Sequence, residues 1–181
     1  MTRDITRTSR TPSLAAEAFS LIELIAVISI AGILAITATP VFSSITGVRR
    51  DVAARHLLRD LSFARQHGVA TGSVTWVVFE SPERWSVLVE DPANPGRAGA
   101  GALADVVTNL PMSVQVGRGE YSGVAIESVE FDAGSEVGFD YLGRPLTGDG
   151  VFLVEQGAVT LTGGRAVFVE PVTGLAWVEL P

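Results

Sequence analysis

Residues Phe19 to Val41 read FSLIELIAVISIAGILAITATPV, and a single charge, Glu23, interrupts them. A bilayer-crossing helix needs about 20 consecutive, predominantly apolar residues. The stretch therefore predicts a membrane-spanning helix. Its hydroxyls at Ser20, Ser29, Thr37 and Thr39 suit a helix in lipid, because small hydroxyls bond back to the preceding turn. Arg3, Arg7 and Arg10 come before it, so the positive-inside rule puts the N-terminus on the cytoplasmic side. Arg49 and Arg50 follow it and weaken that bias. A cleaved secretory signal fits poorly. Its cleavage site should follow the apolar region, whereas the small-x-small site Ala16-Glu17-Ala18 precedes it.

Glu23 has two readings. A charge near the middle of a helix in lipid costs on the order of 3 kcal/mol. In the first reading Glu23 lies near the interface and snorkels or takes up a proton. In the second it awaits a partner in an assembled bundle. A cut before Phe19 would free an α-amino group four residues from Glu23. The amine of one subunit would then neutralise the carboxylate of its neighbour, and only in the correct register. Pro40 also has two readings. It removes one helical hydrogen bond and crowds the carbonyl of Ile36, so the helix either ends there or continues with a kink.

These residues resemble the N-terminus of type IV pilin-like prepilins. The resemblance lies in Ala18-Phe19-Ser20-Leu21-Ile22-Glu23-Leu24-Ile25, then Ala31-Gly32-Ile33-Leu34-Ala35 and Pro40. It implies cleavage between Ala18 and Phe19 by a membrane prepilin peptidase, N-methylation of Phe19, Glu23 as the register residue, and a helix able to kink at Pro40. The family usually carries Gly before the cut, and this chain carries Ala18. The head resembles the GspH/FimT group of minor pseudopilins and minor pilins. That match spans the helical segment Ala54 to Arg65, the first hairpin, Phe139-Asp140-Tyr141-Leu142-Gly143-Arg144-Pro145, and Val167-Phe168-Val169-Glu170-Pro171-Val172-Thr173-Gly174.

Periodicity extends the reading along the chain. Ala54, Leu57, Leu58, Leu61 and Ala64 recur at three- and four-residue steps, with Arg55, Arg59, Ser62 and Gln66 opposite. Asp51 and Arg55 are spaced for an i,i+4 ion pair. After Thr71-Gly72 the pattern turns to strands: Val74–Phe79 and Trp85–Glu90 joined by a turn at Ser81–Arg84. More are expected at Ser113–Val116, Ser128–Phe131, Glu136–Phe139, Val151–Glu155, Ala158–Leu161, Ala166–Glu170 and Leu175–Leu180. Asp91–Gly101 reads as a loop, and Leu103–Val107 as a short helix or more loop. The expected fold is α+β: a long N-terminal helix, part transmembrane and part amphipathic, packed on an antiparallel β-rich head. The segments are a leader at 1–18, a transmembrane and assembly helix at 19–41, its amphipathic continuation at 42–71 and the head at 72–181.

Composition narrows the chemistry. The chain has no Cys, so thiolate chemistry and disulfides are excluded. Its net charge is −7, a poor start for binding nucleic acid, where phosphate neutralisation dominates affinity. One branch of the resembled group captures DNA through Arg residues near its C-terminal Gly-Arg segment. Here Gly174 leads into Leu175-Ala176-Trp177, and the last basic residue is Arg165. His56 and His67 stand eleven apart and lack the spacing of a helical zinc motif. The glycines at 99–101 and 117–119 do not continue into a phosphate-binding motif. Asp91, Asp132, Asp140 and Asp149 lack the spacing of a calcium hand. Trp76, Trp85 and Trp177 fall in expected strands and read as core or interface. Gly143 and Gly174 suit turns, and Arg144 reads as a bond to carbonyls across its turn.

The expectation is therefore assembly rather than catalysis, with no cofactor and no metal. Its partners would be other pilins through the N-terminal helix, the prepilin peptidase, the inner-membrane assembly platform and, before assembly, membrane lipid. The head would be periplasmic on a single-pass inner-membrane protein. A minor pseudopilin of a type II secretion system is the first reading and a minor pilin of a type IV pilus the second. A membrane-anchored periplasmic binding protein that does not assemble is the third.

Overall fold

The computed structural model describes residues 20–132 and 134–179, with only the backbone described at 36–45. Helix α1 spans Leu21–Thr71. The chain divides into two compact units, Met1–Val41 and Phe42–Pro181, and each has its own character.

In the first unit, every described side chain from Ser20 to Ala35 is exposed. Leu21, Ile22, Leu24, Ile25, Val27, Ile28, Ile30, Ile33 and Leu34 are among them. Ser29 Oγ donates to the carbonyl of Ile25 at 2.7 Å, the back-bond that lets a hydroxyl sit in an apolar helix. Among the described residues no helix is long and apolar enough to cross a membrane.

In the second unit the later turns of α1 bury a stripe. Ala53, Ala54, Leu57, Leu61 and Ala64 are fully buried, while Arg55, Arg59 and Gln66 stay exposed. Burying one Leu contributes roughly 1.5–3 kcal/mol, so this stripe fixes the helix on the head. The helix stops at Thr71, where the Gly72 N–H bonds to the carbonyl of Gly68 at 2.9 Å.

The strands form two antiparallel sheets. In the first, β1 (Thr75–Glu80) pairs with β2 (Arg84–Val89), Trp76 opposite Leu88 and Phe79 opposite Trp85. Two short strands, β3 (Gly101–Ala102) and β4 (Ser113–Gln115), share the outer edge of β2. On the other side β1 pairs with β6 (Glu136–Phe139), which pairs with β7 (Pro145–Leu146). The second sheet runs β10 (Ala176–Glu179), β9 (Arg165–Val169), β8 (Gly157–Leu161), β5 (Ile126–Glu130). Its strands alternate as a one-sided sheet must: Val159 and Leu161 on β8, and Val167 and Val169 on β9, point into the core. One hydrophobic cluster unites the helix stripe with both sheets, with Phe79 stacked on Phe131 at 5.9 Å between centroids.

The head is thus α+β with antiparallel sheets, as expected, and most strands fall where the alternation puts them. Val151–Glu155 is a correction: it is no strand, and only Phe152 makes an isolated bridge, to Leu146. There the backbone N–H groups of Val154 and Glu155 go to the carboxylate of Asp132 at 3.1 and 3.3 Å. A side chain supplies the acceptors that a neighbouring strand would have given. Two-residue strands β3 and β7 have no alternation to read. Leu103–Val107 is no helix: Asp105 turns the chain by accepting the Val107 and Thr108 N–H groups.

Candidate functional site

The residues with the strongest sequence signal are unevenly placed. Ala18, Phe19 and the Pro40 side chain lie outside the described residues. Glu23 sits in the first turn of α1 and is exposed. Its backbone N–H bonds to the carbonyl of Ser20 at 3.0 Å. A carboxylate in the first helical turn is favoured by the helix dipole. Glu23 is the one charge among the exposed apolar side chains of Leu21 to Ala35.

On the head, the buried helix face holds a residue that periodicity did not flag. Asp60 is only 3% exposed. Its Oδ2 accepts the indole N–H of Trp85 at 2.9 Å. Around it lie His56 Nε2 at 3.5 Å and Arg59 Nε at 3.6 Å. Arg59 also donates to His56 Nε2. The neutral imidazole then carries its proton on Nδ1 and donates to Tyr121 Oη at 2.5 Å. Burial pushes the His56 pKa down and outweighs the pull of Asp60 in the other direction. Burial also pushes the Tyr121 hydroxyl up. Val52, Arg55, His56, Arg59, Glu120 and Tyr121 line an open groove over this network.

The two C-terminal signatures meet at one side chain. Arg65, from α1, donates Nε to the carbonyls of Gly143 at 3.2 Å and Thr173 at 2.8 Å. Gly143 and Gly174 both have positive φ, 78° and 66°. A Cβ on Gly174 would stand 2.3 Å from the carbonyl oxygen of Gly143, so only glycine allows the turns to touch. The role expected of Arg144 thus belongs to Arg65. Arg144 instead pairs with Asp140, with Nη2 2.7 Å from Oδ2, and lies over the Phe152 ring, 4.2 Å from its centroid. Burial raises the Asp140 pKa, but the N–H bonds of Arg144 and Leu142 outweigh it, and the net shift is downward. The expected Asp51–Arg55 pair is likewise replaced, since Asp51 Oδ1 receives Arg165 Nε at 2.8 Å.

No family model and no curated protein matches this chain. Among solved structures it is similar to the type IV minor pilin FimU of Pseudomonas aeruginosa strain PAO1, in two crystal forms. In space group P21 the identity is 16% over 72% of this chain and 88% of that one, with a TM-score of 0.47. In space group P65 the identity is 15% over 72% and 92%, with a TM-score of 0.44. Both scores fall below 0.5, so the α+β description rests on the helix and sheets themselves.

Three of the four acidic loop residues are engaged within the fold. Asp91 accepts the Ala93 N–H at 2.9 Å, Asp132 accepts those of Val154 and Glu155, and Asp140 holds Arg144. A cleft of about 860 Å³ opens between residues 95–98, 134–136 and 147–149, and the Arg97–Glu136 ion pair, 2.6 Å, stands in its wall. Trp85 is core, as expected, and Trp76 is buried over Gly138. Trp177 lies on edge strand β10, partly exposed and stacked on Phe168.

Proposed function

We propose that this chain is a non-catalytic subunit of a type IV pilin-like filament, assembled through the helix that begins at Leu21. The observation that carries the reading is the exposed apolar surface of Leu21 to Ala35 on all sides of the helix. A helix that is hydrophobic all round belongs inside a larger apolar body, either lipid or a bundle of like helices. A carboxylate at the start of such a helix is tolerated where a positive partner meets it. Glu23 and a free amine on a neighbouring subunit, made by cleavage at Ala18–Phe19, supply that pair. Before assembly the helix would lie in the inner membrane with the head on the periplasmic side. A minor pseudopilin of a type II secretion system and a minor pilin of a type IV pilus share this chemistry. Neighbouring genes for a secretin, an assembly ATPase and a major subunit separate them.

The test is Glu23→Ala. Membrane insertion should persist, because a charge has been removed from an apolar helix. Recovery in sheared filaments, or in crosslinks to other pilins, should fall at least about tenfold, because breaking a buried pair costs roughly 3–5 kcal/mol. Unchanged recovery would reject the register role. Intact mass of the mature protein should start at Phe19, and a retained Arg-bearing leader would remove the amine on which the pairing depends.

A further inference from the structure

Beside Trp76 Nε1, the described residues leave one buried side-chain nitrogen unanswered, on Arg50. Its Nε is buried and has no hydrogen-bond partner among the described residues. Its Nη1 lies 2.9 Å from the point where a Cβ would stand on Gly163, and Arg165 Nη1 lies 2.9 Å from the same point. The two guanidinium groups therefore converge over a bare glycine Cα. Gly163 has φ +82°, and its missing Cβ lets these two side chains lie against the turn between β8 and β9. Arg165 is partly answered, by Asp51 at 2.8 Å and by the carbonyl of Gly163 at 2.8 Å. Asp51 is engaged by Arg165, and Arg49 precedes Arg50 in the sequence. The pair occurs on a head that from Val48 onward has ten Arg and seventeen acidic residues.

We propose that Arg50 and Arg165 form a binding site for a phosphate group, that of an anionic phospholipid headgroup. Guanidinium forks match the oxygens of phosphate, and two converging forks suit an anion with several acceptor oxygens. The source follows from chain position. Arg50 comes nine residues after Val41, where the apolar stretch ends, and a chain leaving a bilayer there meets lipid phosphates first. Basic residues next to a membrane segment draw anionic lipid in this way. A long polyanion would have to approach the acidic remainder of the head, whereas a single headgroup engages only the pair. The proposal rests on the membrane reading above.

The experiment uses the full chain in nanodiscs of phosphatidylcholine, with and without phosphatidylglycerol, and follows the thermal midpoint of the head by near-UV circular dichroism. The wild-type midpoint should rise by about 3–8 °C with phosphatidylglycerol. For Arg50→Gln the rise should fall below about 1 °C, and Arg50→Met, which keeps the alkyl stem, should behave alike. Inorganic phosphate added to phosphatidylcholine discs should reproduce part of the wild-type rise and none of it in the variants. Equal rises in wild type and variants, or no rise in wild type, would overturn the site. A larger rise with a short oligonucleotide than with phosphatidylglycerol would overturn the lipid source. Failure of the chain to co-elute with discs would sink the membrane reading itself and with it the lipid source. Co-elution without a lipid-dependent rise would sink this site alone.

Discussion

Asp60→Ala should be among the most damaging polar substitutions in the head, and the reason is the group it leaves behind. Asp60 and Trp85 are both buried, and the indole N–H has Asp60 Oδ2 as its acceptor at 2.9 Å. A hydrogen bond to a charged group contributes about 1.5–3 kcal/mol, and a buried donor left unpaired costs about 1–3 kcal/mol. Arg59 then loses a carboxylate 3.6 Å away, but it is largely exposed and adds little. The expected loss is about 2–3 kcal/mol, or a fall of roughly 6–12 °C in the melting midpoint for a unit of this size. Asp60→Asn keeps an acceptor for the indole and should cost less than about 1 kcal/mol. Urea unfolding followed by far-UV circular dichroism measures both. Adding Trp85→Phe alone and with Asp60→Ala closes a double-mutant cycle, with an expected coupling of about 1–2 kcal/mol. A coupling under about 0.5 kcal/mol, or equal losses for Ala and Asn at position 60, would refute the claim that the indole bond holds this carboxylate in the core.

Two further predictions concern the meeting of the C-terminal signatures. Gly174→Ala should destabilise the head by at least about 2 kcal/mol, because it adds left-handed backbone strain to a contact of 2.3 Å with Gly143; a midpoint within about 1 °C of wild type would contradict the close approach. Asp140 gives a pH signature. Its folded pKa lies below its unfolded value, so its contribution is fully present above the unfolded pKa, about 3.9, and is lost as pH falls through the folded pKa. Asp140→Asn should lower stability at neutral pH and flatten its decline below about pH 4; acid unfolding curves of equal steepness for the two proteins would show that the Arg144 clasp is not the source.

Some of this molecule is written locally. An apolar stretch with one carboxylate, the three- and four-residue spacing of Ala54, Leu57, Leu61 and Ala64, and the alternation of β8 and β9 are short-range patterns. They specify a helix, its buried face and one-sided strands without knowledge of what lies opposite. The expected strand at Val151–Glu155 failed because that reasoning counts side chains and ignores hydrogen-bond acceptors. Asp132, 22 positions before Val154, met the need instead.

The polar contacts were decided elsewhere. Asp60 meets Trp85 across 25 positions, Arg65 meets Thr173 across 108, and Arg165 meets Asp51 across 114. No local spacing encodes those distances. Asp51 was one helical turn from Arg55 and still chose Arg165, because the β8–β9 turn brings a half-buried guanidinium to it. An exposed i,i+4 pair offers only about 0.3–0.5 kcal/mol in competition. Sequence periodicity established which faces are apolar. The packing of two sheets on one helix determined which charges have partners and left Arg50 Nε without one among the described residues.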